Sequence, residues 1–338
     1  MKQIWIPKIG RPEVLEVREA PDPEVQPGEI RIHVKASGVN FADILARVGL
    51  YPDAPKLPTV VGYEVSGIVD QVGTNVSTFK EGDAVFSLTR FGGYSDCIVV
   101  PAAQASPLPK NLSFEKAAAI PVNYLTAWIM LVWLGHVRGG ETVLVHAVAG
   151  GVGQAALQIC KIHGAQVMGT ASASKHERLK HGGVTHCIDY TTQDFETEVK
   201  KITQGKGVDI ILDAVGGKSF KKSYKCLAPL GRLFLFGISS MSPKKTRSLP
   251  AALKGLLSMP RFHPISLMND NRAVIGVNLG HLWGEGEKIR TMFQDMIPLF
   301  EKGVLDPVVD KTFSFDKAAD AHTYLQDRKN FGKVLLIP

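Results

Sequence analysis

Residues 142–163 read TVLVHAVAGGVGQAALQICKIH. An apolar run of strand length enters a turn in which Ala147, Gly150 and Gly153 stand three apart, and a helical run from Gln154 to His163 leaves it. A glycine cluster alone is a weak signal; the strand before it and the helix after it raise it above chance. Small residues let the chain turn sharply and bring backbone N–H groups, with the positive helix N-terminus, against a pyrophosphate. The plain alternative is a flexible glycine loop without a ligand. GGKS at 216–219 looks like the tail of a P-loop, but Leu212 stands where that motif needs its first glycine.

Outward from this stretch, apolar runs alternate with helical ones, as in βαβ units on a parallel sheet. The runs are TVLVHAV (142–148), QVMGTAS (166–172), HCIDY (186–190), VDIILDAV (208–215), RLFLFGI (232–238) and AVIGVNL (273–279). Six such strands complete a doubly wound nucleotide fold, so the fold class is α/β. The first 120 residues instead carry short β-like runs broken by Pro and Gly clusters such as PDPEVQPGE. After Gly280 come a helical segment from Glu285 to Lys302, the β-like VVDKTFSF, a helix from Asp316 to Asp327 and a terminal strand KVLLI. These are too few for a third domain, and 338 residues at about 150 per domain predict two. The expected division is a β-rich domain of residues 1–122 and 281–338 with a nucleotide domain, 123–280, inserted in it.

Composition excludes several classes. Lys and Arg number 39 against 32 Asp and Glu, a net +7 spread too thinly to argue for nucleic acid, and no aromatic-interleaved basic patch is present. Cys97, Cys160, Cys187 and Cys226 stand far apart with no CxxC pair, which fits a reducing compartment. The most apolar stretch, Tyr124–Leu134, is 11 residues long, whereas a membrane span needs about 20. With no signal-peptide pattern after Met1, a cytoplasmic protein is expected. The basic segment from Ser240 to Asn271, with Lys244, Lys245, Arg247, Lys254 and Arg261 and the apolar spacing of LPAALKGLLSM, has two readings. It is an insertion over the cofactor cleft, or a face for an anionic membrane surface.

About 20 residues beyond the cradle, an NAD site usually supplies an acid for the ribose 2′-hydroxyl. Here the strand ends in Thr170, Ala171, Ser172, and the next charged residue is Lys175. Nothing repels a 2′-phosphate, and Ser172 and Lys175 can bind it. One charge-assisted hydrogen bond of about 1.5 to 3 kcal/mol favours NADPH over NADH by about ten- to a hundredfold.

Nicotinamide enzymes that oxidise alcohols often use zinc held by Cys, His and carboxylates. At this point the sequence resembles the medium-chain dehydrogenase/reductase superfamily, whose zinc enzymes place Cys in G-V-C-x-x-D and His in G-H-E. The corresponding stretches here are GVNFAD (38–43) and GYE (62–64), with Asn40 and Tyr63 at the ligand positions, and no four-cysteine lobe surrounds Cys97. No metal is expected. The substitutions resemble the zinc-free quinone oxidoreductase family over the whole chain: GVNFADILARVGLYP, NYLTAW, AVAGGVG, TASASKHERLK, DAVGG and GKVLLIP. Within it, GTASASKHE, GVTHCIDY and NRAVIGVNLGHL look most like the branch named after synaptic vesicle membrane proteins, the vesicle amine transport protein homologues.

The resemblance implies a GroES-like domain beside a Rossmann domain and an NADPH cofactor. Gly150, Gly151, Val152 and Gly153 would hold the pyrophosphate, and Ser172, Lys175 and Tyr190 the 2′-phosphate. Asn40 and Thr126 would border the nicotinamide, with Val215, Phe236, Gly237 and Asn278 completing the groove and Gly332 and Lys333 touching the cofactor from the C-terminal piece. Asn40 could equally cap the helix suggested by FADILARVG, and Tyr190 could simply pack. Many relatives pair through the sixth strand, which predicts a homodimer.

Hydride transfer needs orientation and exclusion of water more than a metal, and the reduced acceptor then needs a proton. Tyr51, on a loop expected to face the cleft, is the first candidate donor and Tyr63 the second, each with packing as the alternative. Asp43 reads as structural, and His176, His181 and His186, spaced by fives, share no helical face. The expected reaction is reduction of a quinone or other activated α,β-unsaturated carbonyl. The rivals are reduction of an enoyl thioester, and an NADPH-binding, membrane-associated protein with little activity.

Overall fold

The structure, a computed structural model, describes residues 1–241, 246 and 248–338. Lys244, Lys245 and Arg247 of the basic segment lie outside the described residues. The chain forms two units: Met1–Leu125 with Leu279–Pro338, and Thr126–Pro243 with Ser248–Asn278.

In the second unit six strands lie parallel in the order Val184–Asp189, Gln166–Ala171, Thr142–Val145, Val208–Asp213, Leu227–Leu235, Ala273–Gly276. The central strands are covered on both faces, which is why they read as unbroken apolar runs: Val143, Leu144, Val145, Ile210, Ile211 and Leu212 are all fully buried. The helix Gly151–Ile162 buries Ala155, Ala156, Leu157, Ile159 and Cys160. The strand Ala273–Gly276 lies at the sheet edge. The first strand stops at Val145, three residues short of the apolar run, because Ala147 turns left-handed at φ +52°.

Tyr124–Leu134 forms the end of a helix, Pro121–Trp128, followed by a π turn, Ile129–Trp133. Among the described residues no helix is long and apolar enough to cross a membrane. LPAALKGLLSM contains the helix Leu249–Leu257, which leaves Leu253, Leu256 and Leu257 exposed; the next helix, Pro264–Asp270, exposes Ile265 and Met268.

The first unit is built on a seven-stranded sheet around the long strand Glu29–Val39, with a core of Ile30, Ile32, Val34, Val65, Val69, Val85, Ile98 and Val100. The last strand, Lys333–Ile337, joins this sheet antiparallel, with Val334 opposite Val39 and Leu335 opposite Gly38. That register carries Lys333 to Asn40, 293 residues away in sequence.

Candidate functional site

In the first unit, the strand Glu29–Val39 runs into Asn40, which starts the helix Phe41–Arg47. Asp43 reaches back to accept the Asn40 N–H at 2.7 Å, one half of a capping box. Its other oxygen accepts the Gly62 N–H at 3.1 Å, which staples the turn carrying Tyr63 to the helix start. Gly62 is needed there: at φ +102° a Cβ would lie 2.6 Å from the Tyr94 nitrogen. Asp43 is fully buried, and burial pushes its carboxyl up to about 7 against the opposing pull of its N–H donors and Lys333. A carboxyl raised in the folded state favours folding at low pH, and that contribution is lost as pH rises toward about 7. Urea unfolding between pH 4 and 7 should therefore show an Asp43-dependent loss of stability with rising pH. Asp43→Asn should flatten that slope.

The Asn40 side chain is also held by a buried ion pair. Its Oδ1 accepts from Lys333 Nζ at 2.6 Å and its Nδ2 donates to Glu64 Oε1 at 2.9 Å. Lys333 and Glu64 form an ion pair, 2% and 0% exposed, and Glu64 Oε2 accepts the Val122 N–H at 2.7 Å. Beside this cluster Tyr63 sits edge-on to Tyr51, with ring centroids 6.1 Å apart, and tilted against Phe91 at 5.4 Å. Burial raises the pKa of both phenols, far more for Tyr63.

Behind the helix start runs a second buried chain. Arg47 Nη1 meets His322 Nδ1 at 3.1 Å, His322 Nε2 meets the Tyr94 hydroxyl at 3.0 Å, and Arg47 Nη2 donates to Gln326 Oε1 at 2.8 Å. A guanidinium can only donate, so Nδ1 accepts and the imidazole proton is on Nε2. Burial and the Arg47 charge hold the imidazole neutral, and burial lowers Arg47 to about 10. The chain ties the Asn40 helix to the helix Ala318–Gln326.

In the second unit Gly150 caps the helix Gly151–Ile162 without a side chain. The first N–H groups of that helix have no acceptor within it and are available to an anion. A Cβ on Gly153 would lie 2.5 Å from the Val148 carbonyl oxygen and 2.6 Å from that of Ala147, so only glycine fits under the turn. After the strand Gln166–Ala171, Ser172 starts the short 3₁₀ turn Ala173–Lys175, its Oγ 3.3 Å from Ser174 Oγ. Asp189, at the end of the neighbouring strand, is occupied by the Thr191 N–H and the Thr191 and Thr192 hydroxyls at 2.7 to 3.0 Å; Tyr190 beside it is 40% exposed. These features fit a phosphorylated dinucleotide.

Below the turn lies a network that sequence reasoning missed. Asp213, fully buried, accepts the Ser219 and Ser223 hydroxyls at 2.8 and 2.7 Å and the Val215 N–H at 2.8 Å. His146 joins Ser223 at 3.0 Å to Thr170 at 3.2 Å. Burial pushes the imidazole pKa down, against the pull of Asp213. The network locks the carboxyl ends of three strands, where open α/β sheets bind ligands.

Asn40, Tyr51, Tyr63, Gly332 and Lys333 thus belong to the first unit, where Lys333 bonds to Asn40 and Tyr63 packs against Tyr51. Thr126, Gly150, Gly151, Val152, Gly153, Ser172, Lys175, Tyr190, Val215, Phe236, Gly237 and Asn278 belong to the second. Phe236 donates its N–H to the Asp213 carbonyl at 3.1 Å, and a Cβ on Gly237 would stand 2.9 Å from the Ala214 carbonyl oxygen. Glu64 was missed although it directly follows Tyr63 in GYE, the position of the glutamate in G-H-E.

Residues 182–336 match the zinc-binding dehydrogenase family, and residues 26–110 the alcohol dehydrogenase GroES-like domain. The synaptic vesicle membrane protein VAT-1 homolog of Rattus norvegicus is 43% identical over 96% of this chain and 80% of its own length. A quinone oxidoreductase of Pseudomonas aeruginosa is 35% identical over 100% of this chain and 99% of its own. The crystal structure of Escherichia coli quinone oxidoreductase complexed with NADPH superposes with a TM-score of 0.88 at 32% identity, covering 100% of both chains.

The donors present do not fit the zinc ion in the first family's description. Asn40 and Tyr63 replace the expected Cys and His, and the Lys333 ammonium already sits on Glu64 and on the Asn40 oxygen. Among the described residues no three His, Cys, Asp or Glu stand together as a metal site. By identity, coverage and fold, the chain belongs to the quinone oxidoreductase family of the medium-chain dehydrogenase/reductase superfamily, in the branch of the VAT-1 homologues.

Proposed function

We propose that this oxidoreductase passes a hydride from NADPH to a quinone or another activated α,β-unsaturated carbonyl, and that it does so without zinc. The observation that carries the reading is the Lys333–Glu64–Asn40 cluster: at the position where a zinc enzyme carries its cysteine stands Asn40, whose oxygen is taken by the Lys333 ammonium, itself paired with Glu64. NADPH supplies the hydride. The residues do the rest: the N–H groups of Gly151, Val152 and Gly153 hold the pyrophosphate, Ser172, Lys175 and Tyr190 grip the 2′-phosphate, and Val215, Phe236, Gly237, Asn278 and Gly332 shape the groove. Asn40, fixed by Lys333 and Glu64, and Thr126 border the nicotinamide. Tyr51, Tyr63 and Phe91 offer aromatic surface to a flat acceptor.

The test is NADPH oxidation with 1,4-benzoquinone and with a crotonyl thioester. Turnover of the quinone alone supports the proposal; turnover of the thioester alone replaces it with the enoyl reductase reading. Lys175→Ala should raise KM for NADPH about tenfold and leave that for NADH almost unchanged, since it removes one charge-assisted bond to the extra phosphate. Equal effects on both would contradict that role.

Pairing of two copies through the edge strand Ala273–Gly276 would give a homodimer with a continuous sheet. A second reading, a membrane-associated protein, is favoured by the exposed Leu253, Leu256, Leu257, Ile265 and Met268 beside Lys254 and Arg261. Flotation with anionic liposomes tests it.

A further inference from the structure

Tyr63 is 7% exposed, and its hydroxyl is buried without a hydrogen-bond partner. Tyr51 perturbs its ionisation but does not meet it at hydrogen-bonding geometry. A buried hydroxyl left unsatisfied weakens a fold, and phenylalanine would fill the same space without that penalty. Other polar side chains around it are committed. The Asn40 amide is held at both ends by Lys333 and Glu64, and Asp43 accepts two backbone N–H groups. The aromatic rings of Tyr51 and Phe91, both half-buried, pack against the Tyr63 ring.

We propose that the Tyr63 hydroxyl is the hydrogen-bond donor to the carbonyl oxygen of a planar conjugated acceptor, and that Tyr51 is not. The assignment rests on the reductase reading above and deepens it. Hydride adds to the conjugated system, the displaced π pair moves onto the carbonyl oxygen, and Tyr63 donates to that oxygen as its charge grows. A proton from water completes the product, so NADPH, one proton and the acceptor become NADP⁺ and the reduced acceptor. Tyr63 keeps its own proton, as a phenol in so desolvated a place must. Its partner is therefore present only when the acceptor is, which favours the transition state over the empty site.

The experiment compares Tyr63→Phe and Tyr51→Phe with the unaltered protein for quinone reduction, NADPH affinity and thermal midpoint. Tyr63→Phe should lower kcat about 10- to 100-fold, leave NADPH affinity within about twofold, and keep or raise the melting temperature. Tyr51→Phe should lower kcat by clearly less than Tyr63→Phe does, since it keeps the ring and its hydroxyl makes no such bond in the proposed step. An unchanged kcat in Tyr63→Phe overturns the assignment, and so does a fall in its melting temperature, which would reveal a structural partner. Loss of kcat in Tyr51→Phe alone also overturns it. An unaltered protein inert to every conjugated carbonyl would bring down the reductase reading itself, a result distinct from an active protein indifferent to Tyr63.

Discussion

Gly153→Val should abolish NADPH binding, with affinity reduced more than about a hundredfold in a calorimetric titration. Any side chain at 153 places its Cβ 2.5 Å from one carbonyl oxygen and 2.6 Å from another, and both belong to the backbone of the turn proposed to cradle the pyrophosphate. Backbone oxygens cannot rotate away as a flexible side chain can. The turn must open or the helix must shift, and either moves the N–H groups off the phosphate by more than the roughly 0.5 Å that such a site tolerates. Gly150→Ala is the control, because its added Cβ would stand 3.2 Å from the Ala147 oxygen with an ordinary φ. It should lose about tenfold or less. Equal losses in the two variants would mean that the cradle is not what binds the cofactor.

Lys333→Met should be the most destabilising change outside the nucleotide unit. It leaves the Glu64 carboxylate buried without its cation and removes the donor to Asn40 Oδ1. Breaking one side of a buried ion pair costs about 3 to 5 kcal/mol. For a chain of this size that corresponds to a melting temperature lower by about 10 °C. Removing both charges, as Lys333→Met with Glu64→Gln, should recover part of the loss, because no unpaired charge then remains. The single variant should also lose activity through a freed Asn40 amide. A melting temperature within about 2 °C of the unaltered protein would show that the pair is not buried as described.

The strand, glycine turn and helix proposed as the cradle were legible because they are contiguous, with small residues three apart between strand and helix. The alternating runs likewise located all six parallel strands, though not their ends. The run to Val148 stops at Val145, and the run expected from Arg232 begins at Leu227, where Leu230 adopts a left-handed conformation. Apolarity marks burial, and burial continues past the last ladder bond. The first-unit cluster was only half legible. Asn40 and Tyr63 stood out as departures from a ligand pattern, but nothing local pairs Lys333 with Asn40; only the antiparallel register of the last strand does. Spacing marked Asn40 as the start of a helix but could not show that Lys333 donates to its oxygen and Glu64 accepts from its nitrogen. His146 and Asp213 did leave a signal, two polar residues closing the apolar runs TVLVH and VDIILD of adjacent parallel strands.

The most direct test of zinc-free hydride transfer is the steady-state rate of NADPH oxidation with 1,4-benzoquinone after exhaustive treatment with a strong zinc chelator. The rate should be unchanged and should not rise when zinc is restored. A rate that vanishes on chelation and returns with stoichiometric zinc would contradict the account.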